Sequence, residues 1–150
     1  MDHADTIDIA AAPVAAFAAL SDLASMGRRS PENTGGQWLN GDGPALGARF
    51  RGDNTHGDDS WSTVATVTEY DPPRRFAFEV KYGVLKVSRW AFDVEATDAG
   101  CRVTEHWRDQ RGYLLKRDAA KNDYDRVEFT RESIRTTLEN LKRELEATAS

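Results

Sequence analysis

Cysteine is almost absent from this chain, because Cys101 is the only one in 150 residues. A single thiol can form neither a disulfide within the chain nor a thiolate metal cluster. Histidine is also scarce: its three residues lie far apart and form no spaced pair such as His-x-x-x-His. We therefore expect no disulfide and no metal site. The cysteine usage favours a reducing, cytoplasmic setting.

Long hydrophobic runs are missing as well. Nowhere does the sequence offer the ~20 consecutive apolar residues that a membrane-spanning helix needs. The first residues lack the basic stretch and the apolar run that together make a secretory signal. We expect a protein that is neither exported by such a signal nor stably inserted in a membrane.

Positive charge is in deficit, with 20 Lys and Arg against 25 Asp and Glu and a formal net charge of −5. An acidic chain is poorly suited to covering phosphates, so nucleic acid is not an expected partner. No glycine-rich loop follows a strand and opens a helix, which argues against a nucleotide. We predict no cofactor.

The pattern of apolar residues predicts two short helices and a series of strands. Alternation at Thr6–Ala10 predicts a first strand, and Pro13 suits the first turn of a helix. Ser21 and Asp22 suit the N-cap of a second short helix. The segment Ser30–Gly36 is typical of a turn. Six more strands are predicted after it: Gln37–Leu39, Ala48–Gly52, Trp61–Tyr70, Arg75–Val80, Lys86–Glu95 and Cys101–Asp109.

The last part of the chain predicts one long amphipathic helix, from about Tyr124 to Ala147. Its apolar residues recur at helical spacing and form one stripe: Val127, Ile134, Leu138, Leu141 and Leu145. Phe129 points away from this stripe. The segment Gln110–Asp123 fits a loop or an early helix equally well.

The order of these elements predicts a single α+β domain over residues 1–150. A twisted antiparallel sheet of six to seven strands has one face to bury, and only the C-terminal helix is long enough to cover it. We therefore expect a curved sheet that wraps around this helix. Curvature opens a gap in the middle of such a pair of layers, and apolar gaps of this kind bind small molecules.

We predict that a hydrophobic small molecule binds between the sheet and the helix. The walls are expected to come from strand aromatics and from the helix stripe: Phe50, Trp61, Phe76, Phe78, Trp90, Phe92, Trp107, Ile134, Leu138 and Leu141. The alternative is that these side chains fill the interior and form an ordinary core. The alternation within Trp61–Tyr70 is too weak to decide which side of that strand faces inward.

Two carboxyl groups are candidates for chemistry in this gap. Glu105 and Asp109 share the parity of Trp107 and would point to the same side of the last strand. A carboxyl desolvated among aromatic rings has a raised pKa and can act as an acid or a base. The alternatives are that Glu105 pairs with Arg89 or another basic neighbour, or that a bulge turns it to solvent.

Several local motifs resemble those of one superfamily. They are Ile7-Asp8-Ile9 followed by Pro13 and Phe17, the Ser30-Pro31-Glu32 turn, Asp71-Pro72-Pro73 leading into a Phe-rich strand, and Gly100–Glu105. With the order of elements, they resemble the START-like or SRPBCC superfamily, and most of all its polyketide cyclase/dehydrase and lipid-transport branch. The resemblance implies a helix-grip fold with a deep cavity for lipids, polyketides, hormones or aromatic substrates. It carries over no shared catalytic residue.

Three functions follow from these patterns as hypotheses. The first is the binding or carriage of a hydrophobic small molecule. The second is a cofactor-independent cyclase or dehydratase in which Glu105 or Asp109 carries a proton. The third is a protein-interaction module or homodimer that uses a sheet edge or an outward Phe129.

Overall fold

The computed structural model describes residues 2–41, 43–112 and 126–149. The chain forms seven strands and three helices in this part of the sequence. In chain order they are β1 (Asp2–Ile9), α1 (Pro13–Leu20), α2 (Leu23–Arg29), β2 (Asn33–Trp38), β3 (Arg49–His56), β4 (Asp59–Asp71), β5 (Arg75–Tyr82), β6 (Leu85–Thr97), β7 (Gly100–Asp109) and α3 (Arg126–Ala149). Most of the predicted segment Gln110–Asp123 lies outside the described residues.

All seven strands belong to one antiparallel sheet in the order β1-β7-β6-β5-β4-β3-β2. Strands β2 to β7 form a meander of hairpins, and β1 pairs with the last strand of that meander. The α+β helix-grip fold is confirmed: a curved sheet packs against the long C-terminal helix, with two short helices after β1.

The segment Ser30–Gly36 is only partly a turn, because β2 already begins at Asn33. The pairing register shifts between Asn33 and Gly35, and Gly35 has a φ of 129°. Glycine adopts this conformation without the penalty of a Cβ atom, so a glycine-rich run that reads as a loop forms an irregular edge strand. The turn predicted over this whole segment is wrong for its second half.

Strand β4 places alternate residues on the inner face of the sheet as far as Val67. A bulge between Val67 and Glu69 then adds one residue and returns Tyr70 to that face. Ala65 and Val67 are buried on it, while Ser62 and Val64 are exposed. The bulge explains why a simple alternation could not decide the inner side of this strand.

Helix α3 has 24 residues and a length of about 36 Å at 1.5 Å per residue. Its stripe residues Ile134, Leu138 and Leu141 are fully buried in the core against the sheet. Full burial of each such side chain contributes roughly 1.5–3 kcal/mol. Polar contacts fix the helix to β1, since Lys142 donates to the carbonyl oxygen of Asp8 at 2.9 Å.

Within the described ranges, no helix has both the length and the apolar character needed to cross a bilayer.

Candidate functional site

The inner face of the sheet carries a continuous series of aromatic contacts. Successive ring centroids lie between 5.2 and 6.3 Å apart. The order of the rings is Trp38, Phe50, Phe78, Phe76, Phe17 and Tyr70. All five contacts are tilted or edge-to-face, a geometry that aromatic pairs prefer. We call these six rings the aromatic wall. Three of them, Phe50, Phe76 and Phe78, are among the predicted ligand-binding residues.

A cleft of about 540 Å³ opens at the end of the sheet where α1 packs. Both ends of the aromatic wall line it, because Trp38 and Tyr70 contribute to its surface together with Phe17. The remaining lining comes from α1, the loop after β2 and the β4–β5 turn: Val14, Ala18, Ser21, Asp22, Gly43, Pro44, Pro72 and Pro73. The volume falls in the range of small-molecule sites.

One row of side chains crosses the inner face from this cleft to the far edge of the sheet. The pairing register defines the row from β4 to β1 as Tyr70, Phe76, Phe92, Glu105 and Asp5. Neighbouring strands are ~4.8 Å apart, so Glu105 lies roughly 14 Å from Tyr70 along the row. Two buried phenylalanines separate the carboxyl group from the cleft.

Glu105 is a buried carboxyl group with only 4% of its surface exposed. Among the described residues, its Oε1 atom has no hydrogen-bond partner. Burial, and secondarily the negative charge of Asp5, raises the pKa of Glu105 to about 8. The group is therefore mostly protonated at neutral pH, and a neutral carboxyl group can donate a hydrogen bond to an acceptor placed beside it.

Neither alternative for Glu105 is met among the described residues. Arg89 lies on the outer face of the sheet, where its guanidinium contacts Glu69 at 3.5 Å, so it does not neutralise Glu105. No bulge interrupts the pairing of β7 with β6 or β1 near this residue. The regular alternation of β7 keeps Glu105 between Val103 and Trp107 on the inner face.

Arg135, a cation on α3, is engaged by Asp5, the register partner of Glu105. Arg135 on α3 donates from Nη1 to both carboxylate oxygens of Asp5 at 3.2 Å, and to the carbonyl oxygen of Thr6 at 3.3 Å. The negative charge of Asp5 disfavours ionisation of Glu105.

Asp109, the second predicted carboxylate, is held in a different way. Its side chain is 2% exposed and accepts two hydrogen bonds from the Arg111 guanidinium, at 2.9 and 2.8 Å. The backbone N–H of Arg111 adds a third at 3.1 Å. Both oxygens of Asp109 are engaged by Arg111, whereas Oε1 of Glu105 has no partner among the described residues. The geometry therefore favours Glu105 over Asp109 as the group that contacts a ligand. A catalytic role for Asp109 stays a prediction.

The predicted tryptophans differ in their surroundings. Trp107 is buried and lies 6.3 Å from Trp90, whose indole N–H donates to Ser88 Oγ at 3.0 Å. Trp61 is only half-buried, and the guanidinium of Arg126 lies 5.7 Å from its ring. This cation–π contact places Trp61 near the N-terminus of α3 rather than in the aromatic wall.

Phe129 does not form the outward surface that its position off the helix stripe predicts. Its ring lies 4.6 Å from the ring of His56, edge to face, and 5.8 Å from the guanidinium of Arg126. It is half-buried between α3 and the β3–β4 hairpin. A homodimer stays a prediction, but Phe129 is not its exposed surface.

The other wall residues form the core that joins sheet and helix. Phe50, Phe76, Phe78 and Phe92 are buried in one cluster with the α3 stripe. The alternative of a filled interior therefore holds for much of this wall. The sequence analysis did not predict Phe17 and Tyr70 as lining residues. The only signals were that Phe17 lies on α1 and that Tyr70 directly precedes the Asp71-Pro72-Pro73 turn.

Metal ligands are not assembled in the part of the chain that the structure describes: no group of three or more His, Cys, Asp or Glu residues there could hold an ion.

Comparison with known proteins supports the fold. The family model described as "Polyketide cyclase / dehydrase and lipid transport" matches residues 3–146. The Polyketide_cyc-like protein Cgl2372 from Corynebacterium glutamicum is 27% identical, with a TM-score of 0.65 over 99% of this chain and 93% of that chain. No curated protein matches the chain significantly.

Two further solved structures share the fold at lower identity. The di-domain ARO/CYC StfQ from the steffimycin biosynthetic pathway is 16% identical, with a TM-score of 0.75 over 99% of this chain and 51% of that chain. The AHSA1-like protein from Aeromonas hydrophila is 17% identical, with a TM-score of 0.68 over 99% of this chain and 94% of that chain.

Proposed function

We propose that this chain, which belongs to the polyketide cyclase/dehydrase and lipid transport family, binds an apolar small molecule on the inner face of its sheet. In this proposal the protonated carboxyl group of Glu105 donates a hydrogen bond to an oxygen of the ligand. One observation carries the proposal: Glu105 is buried on an aromatic face, and Oε1 has no partner within the described residues. An unsatisfied buried polar group costs about 1–3 kcal/mol, which a ligand oxygen offsets.

The cleft between α1 and the β4–β5 turn supports a route for the ligand. Its aromatic lining suits an apolar molecule, and its far wall continues as the row of Phe76 and Phe92 that ends at Glu105. These two phenylalanines are buried, so a ligand reaches the carboxyl group only when their rings move aside. A ligand that extends roughly 14 Å spans the distance from Tyr70 to Glu105.

The cleft is tested by filling it. A fluorescent apolar probe is expected to bind near one equivalent and to be displaced by polycyclic or long-chain compounds. Ala18 is an exposed residue of α1 that lines the cleft, so Ala18→Trp should weaken binding roughly tenfold by occupying ligand volume. Ala15→Trp is the matched control, because Ala15 is exposed on the same helix and does not line the cleft. Absence of saturable binding to the wild type would refute the proposal.

The role of Glu105 is tested by ligand chemistry. A polycyclic ketone should bind the wild-type protein more tightly than the hydrocarbon of the same shape, by roughly tenfold for one good hydrogen bond. Glu105→Gln keeps a donor and should retain part of this preference, whereas Glu105→Leu should abolish it. A preference that survives in Glu105→Leu would remove Glu105 from the site.

A cyclase or dehydratase activity is the second candidate, and the raised pKa of Glu105 favours it. A carboxyl group that holds its proton to about pH 8 can protonate a carbonyl oxygen as its carbon is attacked, which gives a hydroxyl group. It can also protonate a hydroxyl oxygen as the C–O bond breaks and water leaves. Glu105→Gln should then still bind a poly-keto substrate but form no cyclised or dehydrated product. Product formation at the wild-type rate in this variant would exclude Glu105 as the acid.

We also propose that residues 1–150 act as one cytoplasmic domain. The lone thiol supports this setting, because Cys101 is fully buried and burial raises its pKa, which suits a packing role rather than disulfide exchange.

A further inference from the structure

The β5–β6 hairpin presents apolar side chains to solvent at its tip. Val84 is 92% exposed, Tyr82 is 51% exposed and Leu85 is 38% exposed. Gly83 adopts a φ of 61°, the conformation that a tight two-residue hairpin turn requires. Exposed apolar groups concentrated on one short turn differ from the scattered single residues that are normal on protein surfaces.

Two lysines flank this apolar tip and face each other. Lys81 and Lys86 are partners in the β5–β6 register, and both are exposed. Like charges directly opposite each other on neighbouring strands are destabilising. The side chain of neither lysine has an ion pair or hydrogen bond within the described ranges. Glu79, the carboxylate on β5, lies opposite Arg89 in the register and not opposite either lysine.

We propose that the tip of the β5–β6 hairpin is a docking point for a bilayer surface that contains anionic lipids. Apolar side chains beside basic ones are the composition that rests at the boundary between headgroups and acyl chains. Tyrosine is enriched at this level of the membrane. Lys81 and Lys86 would then meet lipid phosphates, which relieves the repulsion between them. The contact is peripheral and reversible.

The charge and burial of the rest of the molecule leave the hairpin tip as the expected point of contact. The net charge of −5 opposes general adsorption to an anionic surface. The neighbouring β3–β4 hairpin carries Asp58 and Asp59, whose negative charges also oppose contact with an anionic surface. His56 of that hairpin packs against Phe129 on α3. The apolar stripe of α3 is buried and offers no second membrane-binding face. Docking should therefore occur in one orientation, through the hairpin.

The docking proposal is independent of the proposed ligand, so it is tested with the unliganded full chain. Vesicles of phosphatidylcholine alone are compared with vesicles that also contain phosphatidylglycerol, by co-sedimentation at low salt. The wild type should bind only the anionic vesicles. The double variant Lys81→Glu with Lys86→Glu, and separately Val84→Asp, should each reduce binding by roughly tenfold or more.

Two further variants make the test specific. Leu46 is 70% exposed but lies outside the hairpin, so Leu46→Asp should bind anionic vesicles as the wild type does. When anionic vesicles are added, the tryptophan fluorescence of Val84→Trp should shift to shorter wavelength by more than that of the wild type. A tip that instead serves a protein partner leaves this emission unchanged with vesicles. That result, or wild-type binding by both Val84→Asp and the charge-reversed variant, would overturn the proposal.

Discussion

Asp5 and Glu105 are partners across the β1–β7 pair, and the cation beside them contacts Asp5. Arg135 binds both oxygens of Asp5 at 3.2 Å, whereas Oε1 of Glu105 has no partner in the described part of the chain. Two carboxyl groups placed side by side do not ionise equally, and the one that is buried and unpaired keeps its proton. The first two predictions follow from this asymmetry.

Protein stability should fall as the pH rises through neutrality because of Glu105. Its pKa is about 8 in the folded chain and near 4.5 when unfolded, so the folded state binds more protons between these values. The free energy of unfolding should decrease across this window by as much as about 5 kcal/mol. Urea unfolding of the wild type and of Glu105→Gln at several pH values isolates the effect, since all other groups titrate in both proteins. Identical pH profiles would contradict the prediction.

Removing the charge of Asp5 should lower the pKa of Glu105. In Asp5→Asn the repulsion between the two carboxyl groups is lost, which favours the ionised form of Glu105. The pH window over which stability falls should therefore end at a lower pH. Asp8→Asn is the control, because Asp8 binds Arg102 and is not paired in register with Glu105. A window that shifts equally in both variants would show that Asp5 has no specific effect.

Arg29 should be difficult to replace even by lysine. Its side chain is buried between helices, where it donates to Glu144 at 3.0 Å, to the carbonyl oxygen of Ala19 at 3.2 Å and to Ser25 Oγ. Lysine cannot reproduce this planar arrangement of donors, so Arg29→Lys should cost about 2 kcal/mol of stability in thermal or urea unfolding. Arg143→Lys on the exposed side of α3 should change stability by less than about 0.5 kcal/mol. Equal effects of the two substitutions would show that the buried contacts contribute little.

Gly100 should tolerate no side chain. A Cβ atom at this position would lie 2.3 Å from the carbonyl oxygen of Ile9 and 2.6 Å from the backbone nitrogen of Ala11, so the backbone would have to move. We expect Gly100→Ala to destabilise the protein by about 2–4 kcal/mol in urea unfolding. Gly43→Ala is a matched control, since a Cβ atom there meets nothing within 4 Å. A stable Gly100→Ala protein would show that the β1–β7 edge is more adaptable than its spacing indicates.

The periodicity of the sequence predicted most of the elements, because local patterns reflect which face of a strand or helix is buried. The strand Arg75–Val80 and the helix from Tyr124 agree with β5 and α3 to within two residues at each end. The extension of β2 back to Asn33 was missed, since glycines that permit a bulge look like glycines of a turn.

The candidate site was predictable in parts. Parity along β7 placed Glu105 and Trp107 on the inner face, and the structure agrees. The aromatic lining of the cleft was not predictable, because Tyr70 reaches the inner face only through the bulge in β4. The position of Phe129 was misjudged because its contact, His56, lies on a distant hairpin.

The sequence by itself determined the order of the elements, the faces of most strands and the residue type at each inner position. Only the tertiary structure decided which carboxyl group is paired and which is not. The pKa of Glu105 depends on its burial and on Asp5, which is a hundred residues away in sequence. Arg135, the cation that binds Asp5, comes from the C-terminal helix. Such distances in space are set by strand register and helix docking, which local periodicity does not encode.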